Sequence, residues 1–283
     1  AANVGAVVNA VPGMGFAVSQ RGMRAALLRS GVTLLYRLAF MGLPMRVIFQ
    51  NTEDQQDFLQ RGIVRKELTV LIRGSGVDLK VFDTAQRAER DRRAQSGEDQ
   101  APVFVLVARM LRAKGVEEFA AAAHEIKQVH PQWRFLLAGD ADPGNPSSLS
   151  QQALRQLEAE QGVEWLGHVR DVPALLSGCD VMVLPTYYRE GLPKTLLEAS
   201  AAGLPMIASD IAGCREVVSD EVNGLLVPPR QVAPLVEAML RMGEEPGLRQ
   251  RCGRAARRKA EAVFSVDDVV DHTFRVYEEL LGS

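Results

Sequence analysis

Apolar and polar positions along this chain alternate between two periods, and the alternation predicts interleaved strands and helices. β-rich runs at 46–50 (Arg46-Val-Ile-Phe-Gln50) and 68–72 (Leu68-Thr-Val-Leu-Ile72) flank a helical stretch at 53–61. A polar stretch at 83–100, poor in apolar residues, predicts a linker or exposed boundary. The alternation then resumes. Val103-Phe-Val-Leu-Val107 is an unbroken apolar run, expected of a central strand covered on both faces. A helix is predicted over 115–129, where Val116, Phe119, Ala120 and Ala123 keep helical spacing. Further strands are predicted at 134–138, 163–166, 181–185, 205–208 and 224–227. Helices are predicted at 150–160, 172–179 and 193–202, with Pro193 in a first turn, and helices fill most of the rest to Leu281. About six strands follow residue 100, which predicts a doubly wound α/β domain that binds ligands at the carboxyl ends of its strands.

The 283 residues suggest two domains. A composition of 47% hydrophobic and 24% charged residues fits a globular protein with a proper core. The net charge of −2 gives no sign of a nucleic-acid partner. Cys179, Cys214 and Cys252 are too far apart for a ligand pair or disulfide framework, and a reducing compartment is expected. His124, His130, His168 and His272 lack metal-site spacing. No signal peptide and no run of 18 apolar residues are found, and a start at Ala1 in mid-pattern suggests a fragment. Residues 1–52 carry five arginines (Arg21, Arg24, Arg29, Arg37, Arg46), no acid, and the run Leu34-Leu-Tyr-Arg-Leu-Ala-Phe-Met41. That segment suits an anionic membrane surface; an ordinary buried helix with solvated arginines is the alternative.

Two stretches carry candidate chemistry. After the strand at 103–107 come Arg109, Arg112 and Lys114, ending on Gly115 at a helix start. Arginine offers a planar fork to phosphate oxygens, lysine a point charge, and the helix start its positive end; a solvated basic loop would look the same. After the strand at 181–185 comes Glu190-Gly-Leu-Pro-Lys-Thr-Leu-Leu-Glu198. Glu190 precedes the helix and Glu198 lies beyond its first turn, so they address different parts of a ligand rather than forming one carboxylate pair. Carboxylates accept bonds from sugar hydroxyls. Gly191 and Leu192 offer backbone N–H groups at a helix start. A helix start decorated by a favourable acid is the plainer reading. Gly139-Asp140, Gly167-His168-Val169, Ser209-Asp210 and Gly213 follow other strands and supply possible walls. Asp140-Ala-Asp142 has the spacing of a metal site, but its prolines and glycine read as turn chemistry. Gly13-Met-Gly15 lacks the third glycine of a dinucleotide fingerprint and follows no complete strand in this reading. Neither a phosphate-binding Gly-x4-Gly-Lys loop nor a nucleophile elbow occurs.

Taken together, Ala108-Arg-Met-Leu-Arg-Ala-Lys-Gly115, Leu184-Pro-Thr-Tyr-Tyr-Arg-Glu-Gly-Leu-Pro-Lys-Thr-Leu-Leu-Glu198 and Val222-Asn-Gly-Leu-Leu-Val-Pro-Pro229 resemble the retaining glycosyltransferases of family 4. Arg46-Val-Ile-Phe-Gln-Asn51 and Ile72-Arg-Gly-Ser-Gly-Val-Asp78 extend the resemblance over nearly the whole chain. The wording around Tyr187 and Asp140 is similar to a subgroup that adds an N-acetylhexosamine or related sugar to a polyprenyl-diphosphate-linked sugar. The resemblance implies an α/β protein of two facing Rossmann-like domains (the GT-B fold), the amino-terminal one incomplete. Its division would be a partial acceptor-side domain at 1–82, a linker at 83–100, a donor domain at 101–265 and a crossover helix at 266–283. A complete amino-terminal domain would have ~150 residues.

The same resemblance implies roles at matching positions. Arg109 and Lys114 would hold the donor diphosphate and neutralise the departing nucleotide. Glu190 would bind donor sugar hydroxyls, Glu198 the ribose, Gly191 and Leu192 the phosphate or sugar, and Val169 the base, with Gly139 lining the site. Gly13 and Gly15 would face the acceptor. The donor is expected to be a UDP-sugar and the acceptor a lipid-linked or other glycan. No metal or other cofactor is expected, and the protein is expected in the cytoplasm, peripheral to the inner face of the membrane. Two other readings stay open: a sugar-nucleotide-binding chain without transfer, and another enzyme on the same architecture. Among the latter, an epimerase would need catalytic acids not identified in the first domain, and a phosphorylase relative would need a pyridoxal lysine, for which Lys194 is the nearest candidate.

Overall fold

A computed structural model describes residues 5–12, 31, 35, 36, 38, 44–82, 101–188 and 191–282. The predicted linker at 83–100 lies outside the described residues, as do Arg21, Arg24, Arg29 and Arg37. Of the basic apolar segment, Leu35, Tyr36 and Leu38 are described and exposed, and the Tyr36 ring meets Phe58 edge-on.

The first sheet has three parallel strands in the order β1-β2-β3: β1 (Val7–Val11), β2 (Met45–Phe49) and β3 (Thr69–Leu71). Strand β1 corrects the reading in which no complete strand precedes Gly13. Asn9 interrupts the apolar run there, and the segment becomes a strand through its register with β2, Val7 opposite Met45 to Val11 opposite Phe49. Helix α1 (Thr52–Gln60) joins β2 to β3. Its N-cap Asn51 accepts the Asp54 N–H at 2.7 Å, satisfying a donor that the first turn leaves free. Val47, Phe49, Phe58 and Ile63 form the core beneath it.

The second sheet has six parallel strands in the order β6-β5-β4-β7-β8-β9. They are β4 (Val103–Val107), β5 (Arg134–Ala138), β6 (Glu164–Gly167), β7 (Val181–Leu184), β8 (Met206–Ser209) and β9 (Gly224–Val227). Alternate residues divide between two cores, as the strand period of two requires. Phe104, Leu106, Val181 and Val183 pack with α2 (Val116–Lys127) and α7 (Val232–Glu244) on one face. Val105, Val107, Met182 and Leu184 pack on the other with α5 (Lys194–Ala201) and α8 (Pro246–Val263). Helices α3 (Gln151–Gln161), α4 (Val172–Ser177) and α6 (Ala212–Val217) complete the crossovers. Helix α9 (Val266–Leu281) returns to the first sheet, where Val276 packs with Ile48 and Ile72. Among the described residues, no helix is long and apolar enough to cross a membrane.

Candidate functional site

The strand order of the second sheet reverses between the parallel neighbours β4 and β7. The loop after β4 leads to α2 on one face, and the loop after β7 leads to α5 on the other. Two loops that part in this way leave a crevice at the carboxyl ends of the strands, where such folds take ligands.

The two loops are stapled together at one atom. The Ala113 carbonyl accepts the Thr186 hydroxyl at 2.9 Å and the N–H groups of Tyr187 and Tyr188 at 3.0 and 3.2 Å. Gly115, at φ 78°, caps the short turn Arg112–Lys114 and lies against β7's exit. A Cβ there would come within 2.3 Å of the Pro185 carbonyl oxygen, so glycine is needed for both the backbone and the approach. The staple brings Lys114 to the second loop, its ammonium 5.7 Å from the Tyr188 ring centroid. Arg109 donates to the Asp142 carboxylate at 2.7 Å, and Arg112 pairs with Glu117.

Each expected site residue has a definite place, apart from Glu190, Gly13 and Gly15, which lie outside the described residues. Glu198 sits in the second turn of α5 with its side chain mostly covered. Burial raises its carboxyl above the usual range, and Lys194, 3.8 Å away, only partly offsets this. Gly191 is buried, and Leu192 packs onto the α5-side core. Val169, half-buried after β6, joins the same core, while the adjacent His168 is exposed. Gly139 has φ 140°, and a Cβ there would lie 1.8 Å from the Ala108 carbonyl oxygen. It brings the ends of β4, β5 and β6 together, donating to the Gly167 carbonyl at 2.7 Å and accepting from the Trp165 indole at 2.9 Å.

Asp142 belongs to a turn: its N–H donates to Ser148 Oγ at 2.8 Å, and its carbonyl accepts from Asn145. Among the described residues, no group of three or more His, Cys, Asp or Glu is arranged to hold a metal ion. Asp210 pairs with Arg215 at 2.7 Å, and Gly213 is buried within α6.

Sequence reasoning missed three parts of this region. Arg230, at φ 61°, lays its guanidinium 4.0 Å over the Tyr187 ring. Beside them, Glu118 has a buried carboxylate oxygen with no hydrogen-bond partner, and burial raises its pKa. Burial likewise raises the Tyr187 phenol. The third part is the contact of Gly191 with the first sheet. No local pattern signals it, because the cap of Asn51 on the Asp54 N–H is a contact within one helix turn and says nothing of a distant partner.

The carboxyl ends of the two sheets meet. A Cβ on Gly191 would strike the Pro12 carbonyl oxygen after β1, at 1.9 Å, and Gln50 after β2, at 2.5 Å, while Leu192 packs against Gly74 after β3. Two facing Rossmann-like lobes with a switch-point crevice between them define the GT-B class of protein. The Glycosyl transferases group 1 family profile matches residues 88–259, and the chain belongs to that family.

Three relatives illustrate it. The chain is 31% identical over 275 residues to the N,N'-diacetylbacillosaminyl-diphospho-undecaprenol alpha-1,3-N-acetylgalactosaminyltransferase of Campylobacter jejuni, covering 96% of this chain and 70% of that one. It is 26% identical to the Escherichia coli UDP-Gal:alpha-D-GlcNAc-diphosphoundecaprenol alpha-1,3-galactosyltransferase, covering 99% and 70%. The structure of sucrose-phosphate synthase from Thermosynechococcus elongatus superimposes with a TM-score of 0.77 at 26% identity, covering 97% and 68%.

Proposed function

We propose that this chain is a retaining glycosyltransferase of family 4 that moves a sugar of N-acetylhexosamine type from a UDP-sugar to a polyprenyl-diphosphate-linked sugar. The observation that carries the reading is the staple at Ala113, which sets the Arg109/Lys114 loop beside the loop leading to Glu198. Cations and a carboxylate at one switch point suit a nucleotide diphosphate sugar. The names of the Campylobacter and Escherichia relatives, which act on diphospho-undecaprenol-linked sugars, support the acceptor class, and UDP-Gal in the second supports the donor class.

In this reading Arg109 and Lys114 bind the diphosphate and stabilise the charge that develops as the C1–oxygen bond to UDP breaks. Glu198 accepts from the ribose hydroxyls, and Val169 and its neighbours contact the base. Gly139 closes the floor of the crevice. Glu190 and the Gly191-Leu192 backbone hold the sugar and its phosphate, and Gly13 and Gly15 face the acceptor. The acceptor hydroxyl oxygen forms the new bond to C1 as the C1–oxygen bond to UDP breaks, and its proton passes to the departing diphosphate oxygen. Retention follows from a front-face route or from double displacement. The reaction takes no metal in this reading, and the protein works at the cytoplasmic face of a membrane.

Calorimetric titration with UDP and a panel of UDP-sugars, followed by transfer to a polyprenyl-diphosphate-sugar, tests the proposal. UDP binding that weakens in Glu198→Ala is expected. No binding, or undiminished binding in that variant, would sink it. Binding without transfer would identify a sugar-nucleotide-binding chain instead.

A further inference from the structure

The Gly191-Leu192 peptide sits at the start of the loop-to-helix segment proposed to hold the donor, yet its carbonyl is committed elsewhere. Asn51, 1% exposed, donates its side-chain N–H to the Gly191 oxygen at 3.1 Å from the opposite lobe. The same amide is fully employed: it also donates to Asp54 at 2.8 Å, and its oxygen accepts the Asp54 N–H. The two residues that follow it cross the same boundary. The Thr52 N–H donates to Glu216 at 2.8 Å, and Glu53 pairs with Arg215. Arg73, after β3, donates to the other Glu216 oxygen at 2.9 Å. The first turn of α1 is thus held against α6 while its cap reaches the donor loop.

A peptide group is planar, and in its trans form the C=O of one residue and the N–H of the next point in opposite directions. No cis peptide occurs among the described residues. Holding the Gly191 oxygen toward Asn51 therefore sets the Leu192 N–H away from it. Gly191 also lies close to the first lobe, where an added Cβ would fall 1.9 Å from the Pro12 carbonyl oxygen and 2.5 Å from Gln50. We propose that Asn51 is a positioning residue for the donor: through the Gly191 carbonyl it orients the Leu192 N–H toward the diphosphate-sugar part of the ligand. This rests on the donor-site reading above. It means that the lobe opposite the nucleotide shapes the nucleotide-sugar site directly, and not only by closing over it.

Asn51→Ser tests this in the full chain. Serine retains the helix cap, because its hydroxyl accepts the Asp54 N–H, but it is too short to reach Gly191. Binding of UMP and of UDP-N-acetylgalactosamine is measured by calorimetry in both proteins, with thermal unfolding as the folding control. Asn51→Thr is the second variant, since its hydroxyl also caps the helix and is likewise too short to reach Gly191. The expected result is UMP affinity within about twofold of wild type and UDP-N-acetylgalactosamine affinity reduced about tenfold, the scale of one buried hydrogen bond. Equal losses for both ligands, no loss for either, or failure of both variants to fold would each overturn the proposal and leave Asn51 a purely structural residue. If wild type binds neither ligand, the donor-site reading itself fails and this inference falls with it. Wild-type binding with unchanged discrimination in the variants defeats the inference alone.

Discussion

Asp142, in the turn after β5, holds the Arg109 guanidinium at 2.7 Å, so a cation proposed for the diphosphate already has an acidic partner. Two effects oppose each other on its removal. The pair is exposed and orients Arg109 by at most about 1 kcal/mol. A carboxylate near a diphosphate repels each of its charges, by about 1 kcal/mol at contact distance in water and less farther away. With more than one phosphate charge, repulsion wins. Asp142→Asn should bind UDP about two- to fivefold more tightly at low salt, with the gain shrinking as ionic strength rises. Calorimetry across a salt series checks this, and weaker binding would show that orientation dominates.

Glu198 is raised by burial, with Lys194 only partly compensating. For an acid whose folded pKa lies above its unfolded one, the stabilising contribution is present below the ordinary value of 4.5 and is lost as pH rises through the raised value. Glu198→Gln should therefore melt at or above the wild-type temperature at pH 8, with the difference closing near pH 4. UDP affinity should fall about tenfold or more, because hydrogen bonds to a charged acceptor contribute roughly 1.5–3 kcal/mol. Scanning calorimetry at the two pH values and UDP titration check the two halves separately.

The Glu216 carboxyl moves the other way. Burial alone would raise it, but the Thr52 N–H and the Arg73 guanidinium outweigh burial and lower it. Its contribution is present above the ordinary value of 4.5 and is lost as pH falls through the lowered value. Glu216→Gln should cost about 1–2 kcal/mol at pH 7. Urea unfolding should show that difference narrowing below pH 4.5. A constant difference from pH 7 downwards would argue against the ion pair as its source.

Gly139→Ala should destabilise strongly. The residue has φ 140°, and the new methyl would lie 1.8 Å from the Ala108 carbonyl oxygen. Backbone strain of about 1–3 kcal/mol adds to overpacking of similar size, giving a loss of about 2–5 kcal/mol. The midpoint of chemical unfolding measures it. A loss under 1 kcal/mol would mean that the ends of β4 and β5 part easily.

Much of the larger lobe was legible in the sequence. The strands Val103–Val107, Arg134–Ala138 and Gly224–Val227 are those read from the apolar runs, because a strand covered on both faces has little choice of residue. Strand Val7–Val11 was missed, since Asn9 breaks its run and only pairing with β2 defines it. At the site, residue types and order after β4 and β7 were readable, as was Gly139 beside a strand end. The partners were not. Asp142 on Arg109, Arg230 on Tyr187 and Asn51 on Gly191 each join segments that are far apart in the chain.

The sequence by itself determined the alternation of strands and helices, the family, and the two loops that carry cations and carboxylates. All of these follow from local pattern, where period and residue type act within a few positions. Tertiary structure decided that β4 and β7 are neighbours, that the Ala113 carbonyl staples their loops together, and that an asparagine of one lobe fixes a peptide of the other. Hydrogen bonds of that kind depend on the distance and direction between atoms that only the folded chain brings together, and no local pattern encodes them.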